Sequence, residues 1–118
     1  MLNLNNRQRI FLCRSFTDMR KHFDTLAELV RSQLGADPFS GDVFVFIGKR
    51  QDRLKILVWE VSGFWVLARR LEQGRFAVRQ RLADTPTTGT IALSAAEMHL
   101  LLEGIDVHRA TYHQHYHR

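Results

Sequence analysis

Between residues 19 and 34 the apolar positions are Met19, Phe23, Leu26, Ala27, Val30 and Leu34, separated by steps of three and four as one face of a helix requires. Thr17 or Asp18 supplies an N-cap oxygen ahead of them, and Gly35 and Pro38 stop the run behind. The pattern predicts a helix over residues 18–34, preceded by a short apolar lead of Ile10, Phe11 and Leu12. After the turn-forming stretch 37–42, the run Val43, Phe44, Val45, Phe46, Ile47 changes to β-branched and aromatic composition and predicts a strand covered on both faces. Polar residues at 48–52 lead to a second strand over 54–60, a short turn at 61–63 and a third strand over 64–70. Connections this short make an antiparallel meander. A further short strand is expected at 75–78, and a loop at 83–89.

Past Ile91, Ala92 and Leu93, the sequence Ser94-Ala95-Ala96-Glu97 has the spacing of a capping box and predicts a second helix over 95–103, ended by Gly104. The expected fold is therefore α+β: a single domain, residues 1–107, in which an antiparallel β-meander packs against one long N-terminal helix and a shorter C-terminal helix. Residues 108–118 form a polar, histidine-bearing tail.

Composition adds limits. A chain of 118 residues that is 45% hydrophobic and 25% charged suits one ordinary core. Cys13 is the only cysteine, so the chain has no internal disulfide, and a cytoplasmic location is the simplest expectation. No apolar run approaches the roughly 18 residues of a membrane span, so no membrane partner is expected. The balance of 17 Lys and Arg against 12 Asp and Glu gives a net charge of +5, and the pI near 10.1 points mildly toward polyanions such as nucleic acid.

The local charge imbalance is strongest between residues 49 and 81, and Lys49, Arg50, Arg53, Lys55, Arg69, Arg70 and Arg75 are the candidate phosphate contacts. If the turn at 61–63 is a three-residue hairpin loop, Trp59 lies opposite Trp65 and Lys55 opposite Arg69 on one sheet face. Indoles for stacking and cations for phosphates would then form a nucleic-acid platform. Two other arrangements remain open: both indoles can pack beneath a helix, and a two-residue turn would separate the faces. Asp18 precedes Lys21 by three residues, the spacing of a helical ion pair, and Arg20 is a candidate partner or phosphate contact. No nucleophile elbow, phosphate-binding glycine loop, His/Glu zinc pattern or carboxylate pair stands out, so neither catalysis nor a cofactor is expected. His108, His113, His115 and His117 lack the fixed geometry of a metal site, and none is assigned.

Several separated strings agree on one relationship. Thr17-Asp18-Met19-Arg20-Lys21, the segment from Asp37 to Arg50, Leu54 to Trp59, Arg69 to Phe76 and Leu101 to Asp106 resemble, in order and spacing, the TnpB or Orf2-like accessory proteins of the sixty-six family of bacterial insertion sequences. The matching positions are Thr17, Asp18, Met19, Arg20 and Lys21; Phe44, Phe46, Gly48 and Arg50; Lys55 and Trp59; and Arg70, Leu71, Glu72, Gly74, Arg75 and Phe76. Relatives usually carry a glycine where this chain has His22. The resemblance implies a small protein encoded beside a separate, larger transposase and needed for efficient transposition, with no catalytic residues to carry over. The expectation is a non-catalytic accessory protein that binds DNA, at the element's ends or nonspecifically, or contacts the transposase, or does both. The rival is a protein-interaction module in which Phe44, Phe46, Trp59 and Trp65 dock the transposase or a second copy of the chain.

Overall fold

A computed structural model describes residues 8–76 and 89–104. Strands β1 (Ile10–Cys13), β2 (Val43–Ile47), β3 (Arg53–Glu60), β4 (Gly63–Arg70) and β5 (Thr90–Leu93) form one sheet in the order β4-β3-β2-β1-β5. Helix α1 (Phe23–Ser32) connects β1 to β2, and helix α2 (Ala95–Leu102) follows β5. The sheet is mixed, because β1 runs parallel to β2 while every other neighbouring pair is antiparallel. A parallel pair needs a crossover, and α1 supplies it.

Successive side chains of a strand point to opposite faces, which divides the core in two. Phe44, Phe46 and Leu57 meet Leu26, Ala27, Leu29 and Val30 of α1 on one face. Ile10, Leu12, Val43, Val45, Ile47, Leu54, Ile56 and Val58 meet Met98 and Leu101 of α2, together with Phe76, on the other. All five residues of β2 are buried, as its uninterrupted apolar run predicts for a strand covered on both sides. Burial of each large side chain in these layers contributes about 1.5–3 kcal/mol. The capping box also forms: Glu97 N donates to Ser94 Oγ at 3.0 Å and Ser94 N to Glu97 Oε1 at 2.9 Å.

The expected α+β arrangement of a long N-terminal helix on an antiparallel meander is corrected by this sheet, which is mixed and carries two short helices. The meander survives only as β2, β3 and β4. Ile10 to Leu12, read as a mere lead, are the start of a strand between β2 and β5. Residues 18–22 lie outside α1, for local and tertiary reasons together. Asp18 Oδ1 accepts from Arg20 N at 2.9 Å, Lys21 N donates to the Asp18 carbonyl at 3.1 Å, and Thr17 N donates to the Ile47 carbonyl at 2.8 Å. An aspartate that closes its own turn competes with helix formation. The helix begins only after His22, its N-cap. Arg75 and Phe76, expected in a strand, lie in none. The rest of that stretch, the loop residues 83–88 and the tail at 108–118 lie outside the described residues.

Candidate nucleic-acid interface

The β3–β4 turn determines which candidate residues share a face. Glu60 pairs with Gly63, so the loop is the two residues Val61 and Ser62. Val61 takes φ +63°, and a positive φ at the first loop position alone is the pattern of a type II′ hairpin turn. Trp59 therefore pairs with Phe64, Val58 with Trp65, Lys55 with Ala68 and Leu54 with Arg69. Trp59 and Trp65 are on opposite faces, as are Lys55 and Arg69, and the one-face platform conditional on a three-residue loop does not form. Phe44 and Phe46, proposed members of a docking patch, are interior, at 1% and 0% exposure.

The candidates separate into two ends of the sheet. At the hairpin tip, Phe39, Trp59 and Phe64 make a three-ring cluster with centroids 4.9–5.3 Å apart. Trp65, 55% exposed, donates from Nε1 to Glu60 Oε1 at 2.9 Å. The basic residues lie at the other end. From Arg53 to Trp59 is six residues of strand, about 20 Å.

The basic end is where the recognised strings converge. Thr17, 5% exposed, is hydrogen-bonded to the end of β2 through its backbone, and the Met19 side chain lies over Gly48 so closely that an added Cβ there would stand 2.7 Å from Met19 Cγ. Lys55 Nζ donates to the Lys21 carbonyl at 2.6 Å. The chain leaving β4 then folds back over the β2–β3 turn: Leu71 N donates to the Asp52 carbonyl at 2.8 Å and Phe76 N to the Gln51 carbonyl at 2.6 Å. Gly74 turns that segment with φ +80°, and Phe76, fully buried, anchors it in the α2-side core. Gly104, just past α2, sits against Leu71 and Arg75, where an added Cβ would be 3.5 Å from Leu71 Cδ1.

Two adjoining hollows open at this end, with Met19 and Arg53 common to both. One, of about 390 Å³, is lined by residues including Arg53, Lys55, Ala68, Arg70 and Glu72. The other, of about 450 Å³, is lined by residues including Thr17, Lys49, Arg50, Asp52 and Arg53. Asp18 borders the second hollow but is paired with Arg20, Nη2 to Oδ2 at 2.7 Å and Nε to Oδ1 at 3.0 Å, instead of the expected Lys21. The hydrogen bonds from Arg20, through side chain and backbone, hold the Asp18 carboxyl well below the usual aspartate range. Glu72 is paired with Arg70 at 3.1 Å. Lys49, Arg50, Arg53 and Arg69 have no acidic partner among the described residues. Arg75 is exposed on the returning segment and lines neither hollow.

The arrangement is a cation-rich surface able to hold anions. Among the described residues no three His, Cys, Asp or Glu side chains group as metal ligands. Ala68, which lines one hollow, was not singled out by sequence reasoning, whereas Met19, which lines both, was marked only as a position of the family string. Ala68 falls within an ordinary strand, so nothing local distinguishes it, and the spacing of Met19 placed it in the predicted apolar stripe instead of at a surface hollow.

Comparison with known proteins bears out the family resemblance of these strings. Two uncharacterized proteins of Sinorhizobium fredii strain NGR234 are similar to the chain. The protein y4jC is 35% identical over 106 residues, covering 90% of this chain and 86% of the relative. The protein y4hO is 34% identical over 106 residues, covering 90% and 88%. No solved structure matches. The family model described as IS66 Orf2 like protein matches residues 8–112, from the first described strand past the end of α2, and the chain belongs to that family.

Proposed function

We propose that this protein is a non-catalytic accessory factor in the transposition of an insertion sequence, and that it holds DNA by the phosphate backbone at the basic end of its sheet. Family membership supports the link to transposition. The observation that carries the DNA reading is the convergence at one end of Lys49, Arg50, Arg53, Lys55, Arg69 and Arg70, where two of the local carboxylates, Asp18 and Glu72, are already occupied by Arg20 and Arg70. Uncompensated cations at a surface attract a polyanion and release its counterions.

The test is fluorescence anisotropy with duplexes carrying the element's terminal repeat or a scrambled sequence, across a salt series with metal chelated. The reading expects affinity that falls steeply with salt. Replacing Lys49, Arg50, Arg53 and Arg69 by glutamine should flatten the slope of log K against log salt by about one unit for each phosphate no longer neutralised. Preference for the terminal repeat would identify end recognition, and equal affinity a nonspecific clamp. Absence of binding by the wild type near physiological salt would remove DNA from the account.

A second reading has its own observation. Phe39 at 49% exposure, on the face of Trp59 and Phe64, and Trp65 at 55% on the opposite face, with Val61 at 93% in the turn, place apolar surface on both sides of the hairpin tip, away from the cations. That surface suits docking to the element's transposase or to a second copy of the chain. Sedimentation equilibrium of the protein alone, with and without Trp65→Ser, separates self-association from a surface that needs another partner. No helix among the described residues is long and apolar enough to cross a membrane.

A further inference from the structure

We infer that the hollow over Ala68 is a seat for one phosphate group, of the doubly charged kind found at the end of a DNA strand. The inference rests on the DNA-binding reading and specifies its ligand chemistry.

The strand register builds the seat. Arg53 pairs with Arg70 and Lys55 with Ala68, so the three cations and the alanine share one face of the β3–β4 ladder. Like charges directly opposite one another are unfavourable unless an anion lies between them. Ala68, whose side chain is a single methyl, leaves a hollow of about 390 Å³ among them, with Met19 as an apolar wall.

The cations also have donors to spare. Lys55 Nζ gives one hydrogen bond to the Lys21 carbonyl, which fixes its position and leaves two of its three N–H groups unassigned. Arg53 has no acidic partner among the described residues. Arg70 is held by Glu72, but their side chains are 60% and 78% exposed, and such a pair is weak enough for a ligand to replace.

Charge selects the ligand. The hollow is lined by four cations, Arg53, Lys55 and Arg70 on this face and Arg69 from the neighbouring position, against one carboxylate, Glu72, an excess of three. A terminal phosphate carries about −1.5 to −2 at neutral pH, whereas a backbone phosphodiester carries a single charge. The flat guanidinium forks of two arginines also suit the oxygens of a tetrahedral phosphate better than one small carboxylate.

The experiment compares two duplexes of one sequence, one 5′-phosphorylated and the other 5′-hydroxyl, by anisotropy, with inorganic phosphate added to labelled protein in an NMR titration. Two variants are used: Ala68→Leu, which fills the hollow without altering charge, and Arg53→Gln, an exposed substitution that keeps the test valid if the leucine disturbs folding. The expected result is binding of the phosphorylated duplex about tenfold tighter. That preference should be lost in both variants, and inorganic phosphate should shift the Ala68 and Lys55 amides in the wild type alone.

Equal affinity for the two duplexes, with Ala68→Leu weakening both, would overturn the strand-end assignment in favour of an internal backbone phosphate. Unchanged affinity and preference in folded variants would overturn the seat while leaving DNA binding intact. Phosphate-dependent shifts that both variants abolish, in a protein that binds neither duplex, would uphold the seat and sink the DNA reading.

Discussion

Lys55 Nζ donates a 2.6 Å hydrogen bond to the carbonyl of Lys21, 34 residues earlier in the chain, and so ties the loop ahead of α1 to β3, the middle strand of the β2–β3–β4 meander. One of the candidate phosphate contacts is thus also a structural clamp. The loop it holds carries Met19, the wall shared by both hollows. Lys55→Met keeps most of the aliphatic stem and removes the donor. It should cost about 1–2 kcal/mol, the usual range for a hydrogen bond from a charged group, lowered for partial exposure. Urea denaturation reads the loss, and hydrogen exchange should speed up at residues 17–21. Unaltered exchange there would show that the loop is held by other contacts.

Gly48 and Met19 form a second joint. A Cβ at Gly48 would stand 2.7 Å from Met19 Cγ, too close for both to stay in place. Gly48→Ala should destabilise by about 1–3 kcal/mol through overpacking. Met19→Ala combined with it should recover part of that loss, because the obstructing atom is then gone. A double-mutant cycle measured by thermal denaturation should give a coupling of about 0.5 kcal/mol or more. Strict additivity would mean that the methionine simply swings aside.

Val61 holds φ +63° at a 93% exposed hairpin tip, a conformation a β-branched residue adopts only under strain. Val61→Gly removes strain of roughly 1–2 kcal/mol and adds a glycine entropy cost of about 0.5–1 kcal/mol. A net gain of up to about 1.5 kcal/mol is expected in denaturant midpoint analysis. A loss of stability would indicate that the valine side chain has packing the exposure does not reveal.

The Asp18 carboxyl is held below the ordinary aspartate range chiefly by its side-chain hydrogen bond from Arg20, then by the Arg20 backbone N–H. A carboxyl whose folded pKa lies below its unfolded value adds stability at pH above the unfolded value, near 3.9, and loses it as pH falls toward the folded one. The loop's contribution should therefore be constant at neutral pH and decline only in strong acid. Carboxyl-carbon NMR titration should find Asp18 ionised well below pH 3.9, with the midpoint rising in Arg20→Gln. An unchanged midpoint in that variant would remove the ion pair as the cause.

The rings and the cations occupy opposite ends of the hairpin, which makes a spectroscopic prediction. Trp65 is 55% exposed while Trp59 is packed against Phe39 and Phe64. Acrylamide should quench Trp65 preferentially, and DNA held at the basic end should leave that quenching unaltered. Protection of Trp65 on adding DNA would move the binding surface to the hairpin tip.

What the sequence determined by itself was mostly local. The run from Val43 to Ile47 is apolar at every position and had to be a strand covered on both faces. Ser94 and Glu97 specify the start of α2 through atoms three residues apart, and the strings of residues 17–21, 44–50 and 69–76 were enough to mark the family. The clustering of basic residues was equally visible, although not its arrangement in space.

The tertiary structure decided the rest, because each remaining choice depended on residues far apart in the chain. Ile10 to Cys13 is too short to declare itself, and becomes a strand by pairing with β2 on one side and β5 on the other. The helical stripe began too early in the sequence reading because Met19 fits its spacing, yet its loop is held by Ile47, Gly48 and Lys55. One residue of loop length at Val61 and Ser62 then assigned every side chain of β4 to its face, parting Trp59 from Trp65 and setting Arg53 opposite Arg70. Strand side chains alternate with a period of two, so composition alone carries no trace of that choice, and only the paired register shows which cations meet.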